Sequence, residues 1–417
     1  MTKSFVCGRG LLMIVAIVVS TGLPSQAAPQ QENWVGSWAT SQQIPEPQNA
    51  LPEQDMTDST LRQIVHLSIG GGTIRVHLSN AFGTTALRLT SVHIARPMNA
   101  ASNAIDPTSD KALLFSGSPE VSIPPGAQYM SDPIDYPAGS LSDIAISLHL
   151  VAPPTRQTGH PGARATTYVA SGDVVSKATL EDAKTVEHWY VISGVDVSAQ
   201  PTSFSVVALG DSITDGHGAT TNGNDRWTDV LARRLQAKPS TRNIAVLNQG
   251  IGGNHLLIDG LGPNVLARFD RDVLAQAGAR YLIVLEGIND LGGLARMQNV
   301  TEEDHAALVH EMIGAYEQII ERAHAQHLRV IGATILPDGG SDYYHPSPSN
   351  EADRQQVNRW IRAAGQFDAV VDLDKIMADP EDPTRMRPSY DSGDHLHPSP
   401  AGYKIMGEAF PENLFTK

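Results

Sequence analysis

Two rhythms of apolar and polar residues divide the chain. From Trp34 to about Val195 the runs are short and alternating, with Pro, Gly, Ser and Asn in the gaps. "LRQIVHLSI" (61–69) and "TIRVHLSN" (73–80) alternate on either side of "GGG" (70–72), which predicts a hairpin. "ALRLTSVHIA" (86–95), "DIAISLHLV" (143–151), "TTYVA" (166–170) and "HWYVISGVDV" (188–197) continue the pattern. Many short strands at this spacing predict an antiparallel, jelly-roll-like β-sandwich over residues 34–197.

The second half drops the alternation. "SVVALG" (205–210), "IAVLN" (244–248), "YLIVLE" (281–286), "RVIGATIL" (329–336) and "AVVDL" (369–373) are continuous apolar runs. Such runs fit strands buried on both faces, as in a parallel sheet. Helical spacing separates them: Trp227, Val230, Leu231 and Leu235 share one face, as do Leu308, Met312, Tyr316, Ile319, Ile320 and Ala323. Strand and helix alternate, so residues 203–417 should form an α/β, three-layer, doubly wound sheet of the flavodoxin-like kind. The polar "SAQPT" (198–202) is the expected linker.

In an open parallel sheet, chemistry gathers beyond the carboxyl ends of the strands. The residues found there are "GDSIT" with Ser212, "NQGIGGN" with Asn248 and Gly253, and "EGIND" with Asn289. "DSGDHLHPSPAGY", near the carboxyl terminus, brings Asp394 and His397. A serine hydroxyl needs a base to become a nucleophile, and His397 is a suitable one. Asp394, three residues earlier in a loop, could fix the imidazole tautomer while Nε2 faces Ser212. The amide N–H groups of Ser212 and Gly253 and the side-chain amide of Asn289 could together receive an oxyanion. Gly252 is the rival to Gly253 for that role.

These segments resemble the SGNH (GDSL) hydrolase superfamily through "GDSIT", "NQGIGG", "GIND" and "DHLHP", in the family's order over about 203–410. The resemblance implies Ser212 as nucleophile, Asp394 and His397 as its triad partners, and Gly253 and Asn289 with Ser212 as the oxyanion hole. Ile213 stands where the family's short name has leucine. Ile288 stands where many members have a second glycine, and could narrow the space beside Asn289. "WVGSWATS" (34–41), the run at 61–83 and "NDRWTDVLARRL" (224–235) look like a two-domain subgroup of secreted esterases that includes acetylxylan and other carbohydrate esterases.

Composition limits the alternatives. The net charge is −15, from 45 acidic and 30 basic residues, so nucleic acid and anionic lipid are poor partners. Lys3, Arg9, the apolar "LLMIVAIVVSTG" (11–22) and "SQA" (25–27) read as a signal peptide over residues 1–27, which predicts a secreted or periplasmic protein with no stable membrane insertion. Cys7 is the one cysteine and precedes the cleavage site, so the mature chain should have neither disulfides nor thiolate metal ligands.

Each candidate also has a plainer reading. Asp211 and Asn248 suit turn-forming roles, and Asp290 suits fixing the loop of Asn289. His395 and His397 form an H-x-H pair, but further ligands at recognisable spacing are missing, so no metal site is expected. His217, His255 and His345 read as loop residues, with His255 a candidate for the cleft. Trp227 fits the core; Arg226 suits a surface ion pair or a substrate contact. Residues 337–350 form a long loop on the active-site edge, with tyrosines able to stack on sugars. The expected activity is a cofactor-independent serine esterase acting on short-chain, chiefly acetyl, esters of carbohydrates. A general short-chain carboxylesterase or lipase is the alternative in the same class. A carbohydrate-binding protein with an inactive hydrolase domain is the alternative in another. The oligomeric state is open.

Overall fold

The amino-terminal half builds two large antiparallel sheets around one shared core, with the short pair Gly159–His160 and Trp189–Tyr190 beside them. The computed structural model describes residues 1–5 and 32–416. The expected signal peptide lies, from residue 6 on, outside the described residues. Among the described residues no helix is long and apolar enough to cross a membrane.

The first sheet holds five strands, with Ile192–Ala199 between Asn33–Ala39 and Gly71–Ser79, and Gln128–Met130 and Ile134–Ala138 beside the last. The second holds seven, centred on Ser59–His66, Asp143–Leu150 and Leu87–Ala95. Val35, Ile74, Val76, Val195 and Val197 from the first meet Leu61, Leu89, Ile146 and Leu148 from the second, all fully buried. Alternation supplies this: every second residue of a strand reaches the same face.

The hairpin expected across "GGG" is not formed. Ser59–His66 pairs with Asp143–Leu150 and Thr167–Ser171, whereas Gly71–Ser79 pairs with Ile192–Ala199 in the other sheet. The chain crosses between sheets at Leu67–Ile69. The Leu67 N–H donates to the Ser142 carbonyl at 2.9 Å, and the Ser68 N–H to the Ser37 carbonyl at 2.9 Å. Leu67 and Ile69 are buried in the corner. A Cβ on Gly70 would stand 2.3 Å from the Ala138 carbonyl oxygen. The glycine therefore answers a close backbone approach, a need that alternation in the flanking runs does not reveal.

The carboxyl-terminal half is a five-stranded parallel sheet, in spatial order Ile244–Gly250, Phe204–Gly210, Ala279–Leu285, Arg329–Ala333 and Ala369–Val371. This is the 2-1-3-4-5 order of a flavodoxin-like fold, whose switch point lies between the first and third strands. Trp227–Gln236 packs with Pro400–Ala409, and Ile288–Ala295, Glu302–Ala325 and Pro348–Arg362 pack among themselves, giving the two helical layers.

Asn33–Lys417 is one compact unit, and its two halves meet along the edge strand Ile244–Gly250. The Val246 N–H donates to Ser68 Oγ at 3.1 Å, the Gly36 N–H to the Ala277 carbonyl at 2.9 Å, and Ser41 Oγ to Gln249 Oε1 at 2.8 Å. The amino-terminal half thus covers an edge that would otherwise expose unpaired backbone.

Trp227 is fully buried and stacks on Phe410 at 5.0 Å, as its helical spacing predicts. Trp227→Ala should therefore cost about 3–5 kcal/mol, read as a lower urea midpoint with an unchanged far-ultraviolet spectrum.

Candidate active site

The first parallel strand ends at Gly210, and Asp211 starts a short helix, Ser212–Asp215, by accepting the Ile213 N–H at 2.9 Å. Ser212 is the first residue of that helix, at the carboxyl edge of the sheet. Its Oγ lies 2.8 Å from His397 Nε2, and His397 Nδ1 lies 2.6 Å from Asp394 Oδ2. The second Asp394 oxygen accepts the backbone N–H groups of Leu396 at 3.0 Å and His397 at 2.8 Å. Partial burial works against the Asp394 charge. The hydrogen bonds and charge of His397 outweigh it and hold the carboxyl well below its usual range.

Asn289, buried in the first turn of Ile288–Ala295, faces the same space. The Tyr344 hydroxyl donates to its Oδ1 at 2.5 Å, and its Nδ2 donates to the Asn254 carbonyl at 2.6 Å. These two bonds fix which way the amide points and leave one Nδ2 hydrogen free. Gly253 adopts φ 67°, and a Cβ there would stand 3.0 Å from Leu261, so a side chain would be strained and crowded. Its rival Gly252 has neither constraint. The N–H groups of Ser212 and Gly253 have no acceptor among the described residues. Asp290 accepts the N–H groups of Leu256 at 2.9 Å and Leu257 at 3.1 Å, which pins the glycine loop to the Asn289 helix. Asn248 organises the same loop, accepting the Gly250 N–H and donating to the Thr214 carbonyl.

Ser212, Gly253, Asn289, Asp394 and His397 all line one cavity of about 760 Å³. Tyr343, Arg296, Leu261, His255 and His217 complete much of its wall. His217, Asp394 and His397 also bring donor atoms within 4.8 Å of one another, a spacing a metal ion could bridge. Both ring nitrogens of His397 are, however, already engaged by Ser212 and Asp394, which is the arrangement of a nucleophile, base and orienting acid.

Residues 208–405 match the GDSL-like lipase/acylhydrolase family. This half of the chain is a GDSL-like acylhydrolase domain. It is accordingly an ester hydrolase domain. Among solved structures, a GDSL-like lipase from Bacteroides thetaiotaomicron is 22% identical, with 49% of this chain and 84% of that chain covered and a TM-score of 0.36. An acetylxylan esterase from Geobacillus stearothermophilus is 22% identical, with 51% of this chain and 94% of that chain covered and a TM-score of 0.37. No curated protein matches the sequence.

Other residues of the GDSL-like domain lie outside the catalytic chain. Ile288 is turned into the hydrophobic core, so it does not narrow the space beside Asn289. Arg226 does not line this cavity; it is buried and pairs with Asp229 at 3.6 Å. Its Nε donates to the Asp215 carbonyl at 2.8 Å, its Nη2 donates to the Ala163 carbonyl, and its guanidinium lies 5.9 Å from the Trp189 ring. Asp215 is buried against His160 Nε2 at 2.8 Å, away from the cavity. His395 pairs with Asp391 at 2.6 Å and His345 faces solvent.

Two residues were missed. Arg268, wholly buried, donates to the Gly210 carbonyl at 2.9 Å, the Gln249 carbonyl at 2.7 Å, Asn254 Oδ1 at 2.8 and 2.9 Å, and Ser41 Oγ at 2.9 Å. Asn254 relays that support to Asn289. In sequence they are an arginine in a helical stretch and an asparagine after a glycine loop, with nothing to connect them.

A buried carboxyl cluster lies beneath the nucleophile. Burial pushes Asp211 up to about 7; Asp290 adds to this, while the Ile213 hydrogen bond and the Arg268 charge oppose it. Burial, then the Asp211 charge, also holds Glu286 well above its usual range. A carboxyl raised by folding binds its proton more tightly in the native state. Its stabilising contribution is complete below the unfolded value of 3.8 and is lost as pH rises through about 7. The Asp211 contribution to the melting temperature should therefore fall between about pH 4 and about pH 7, and Asp211→Asn, which keeps an acceptor for Ile213, should flatten that fall.

Proposed function

We propose that the protein is a serine esterase that removes short acyl groups, chiefly acetyl, from carbohydrates. The reading is carried by the continuous chain Asp394–His397–Ser212 opening into a cavity that also holds free N–H donors. Ser212 Oγ attacks the acyl carbon while His397 Nε2 takes its proton. The negative oxygen of the tetrahedral intermediate accepts hydrogen bonds from the N–H groups of Ser212 and Gly253 and from Asn289 Nδ2. His397 returns the proton to the departing alcohol, and water then repeats the sequence on the acyl-enzyme. Asp394 stays ionised throughout and holds the imidazole tautomer.

The carbohydrate part of the reading rests on the cavity mouth. Tyr343 is 60% exposed there, with Arg296 over its ring at 4.8 Å, which offers an aromatic face to a sugar and hydrogen-bond donors to its hydroxyls. Leu261, 50% exposed on the same wall, favours a second reading, a general short-chain carboxylesterase. Residues 1–27 would direct export to the periplasm or medium, with an exported form beginning after Ala27.

Ser212→Ala should reduce turnover of a simple acetyl ester by about three to six decades while the fold is kept. Acetate release from acetylated xylan or pectin, compared with a series of simple esters of rising chain length, separates the two substrates. Equal rates on polysaccharide and simple esters would discard the carbohydrate reading. Retained turnover in folded Ser212→Ala would discard the nucleophile.

A further inference from the structure

His217 is a cavity residue that the esterase scheme leaves unused. Its ring lies 4.0 Å, centroid to centroid, from the His397 ring, tilted by 40°. Its own helix end and three other segments hold it. Its N–H donates to the Ser212 carbonyl at 2.9 Å, and its carbonyl accepts the Tyr403 hydroxyl at 2.6 Å. Arg164, from the amino-terminal half, donates from Nη2 to its Nδ1 at 3.0 Å. The last is the face of the catalytic imidazole itself.

We propose that His217 is a positioning residue for His397, kept neutral by Arg164, and that the amino-terminal half thereby takes part in catalysis. An arginine can only donate, so the bonded Nδ1 must carry no proton and the ring must be the Nε2–H tautomer. Protonation of Nδ1 would set two donors against each other. A neutral ring suits the reaction, because His397 becomes an imidazolium whenever it holds the Ser212 proton. A second positive charge 4.0 Å away would oppose that step. The neutral ring limits the tilt of His397 towards the cavity without adding this repulsion.

The groups that face His217 are His397 and Asp394 from the carboxyl-terminal loop, Arg164 from the amino-terminal half, the Tyr403 hydroxyl, and Asp215 on its own segment. Partial burial of an otherwise exposed ring, then His397 and Arg164, lower its proton affinity, against the two carboxylates. Removing Arg164 frees Nδ1 and removes one opposing charge. His217 then gains its proton at a higher pH, where His397 must act as base. Loss of Arg164 should thus move the acid limb of the rate profile upwards.

The proposal rests on Ser212 and His397 acting as in the esterase scheme. It is tested with purified full-length variants, p-nitrophenyl acetate, and kcat and KM followed separately against pH, with melting curves for each protein. His217→Ala should lower kcat about tenfold or more with KM nearly unchanged, and His217→Phe, which restores a ring, should recover part of that loss. Arg164→Ala should raise the midpoint of the acid limb by about half a unit or more, and adding His217→Phe should cancel the shift. If Arg164→Ala does not fold, Arg164→Met keeps the aliphatic stem without the donor and should show the same shift. An acid limb unchanged in the folded Arg164 variant, or a kcat for His217→Ala within about twofold of the parent, overturns the proposal alone, provided Ser212→Ala is inactive. Activity in folded Ser212→Ala overturns both the proposal and the esterase scheme beneath it.

Discussion

One buried guanidinium organises this protein. Arg268 has no exposed side-chain surface and reaches the ends of the first two parallel strands, the asparagine behind the oxyanion donors, and a serine of the other half. A buried charge is costly unless its donors are met, and here they are met by carbonyls, Asn254, Ser41 and the carboxylate of Asp272. Gly210, Gln249 and Asn254 cannot move apart without stranding that charge. Ser212, Gly253 and Asn289 all stand on the segments so tied.

The two halves depend on each other through the same region. The antiparallel half covers the edge strand Ile244–Gly250 and extends His160 and Arg164 towards the serine loop. Arg226 closes the junction from the other side, between Asp215, Ala163 and Trp189. None of these side chains lines the cavity. His160 and Arg226 instead hold Asp215 at the end of the serine helix, and Arg164 holds the ring of His217, where that support reaches the catalytic imidazole.

Much was legible because its physical cause is local. Alternating residues announce strands with one buried face, and continuous apolar runs announce strands buried on both. A glycine, an aspartate and a serine closing such a run announce a turn at a strand end. Asp394 and His397 could be paired from a spacing of three, because their hydrogen bonds are made within one loop. What was not legible depends on distance in sequence. The runs flanking "GGG" alternate as a hairpin would, yet they separate into two sheets because Leu67 and Ser68 find partners at Ser142 and Ser37. Ile288 seemed to face the oxyanion site because its neighbour does; the helix turn sends its side chain to the core.

The sequence by itself determined the kinds of elements, their order, and the residue types delivered to the ends of the parallel strands. These follow from periodicity and turn chemistry, which act over a few residues. Only the tertiary structure decided which strands became neighbours, how Arg268 and Asn254 support Asn289, why Arg226 and Asp215 are buried, and that Arg164 stands behind His217. Those outcomes arise when groups some tens to hundreds of residues apart are desolvated together. Each must then find a partner in the space that packing leaves, and that space has no local signature in the chain.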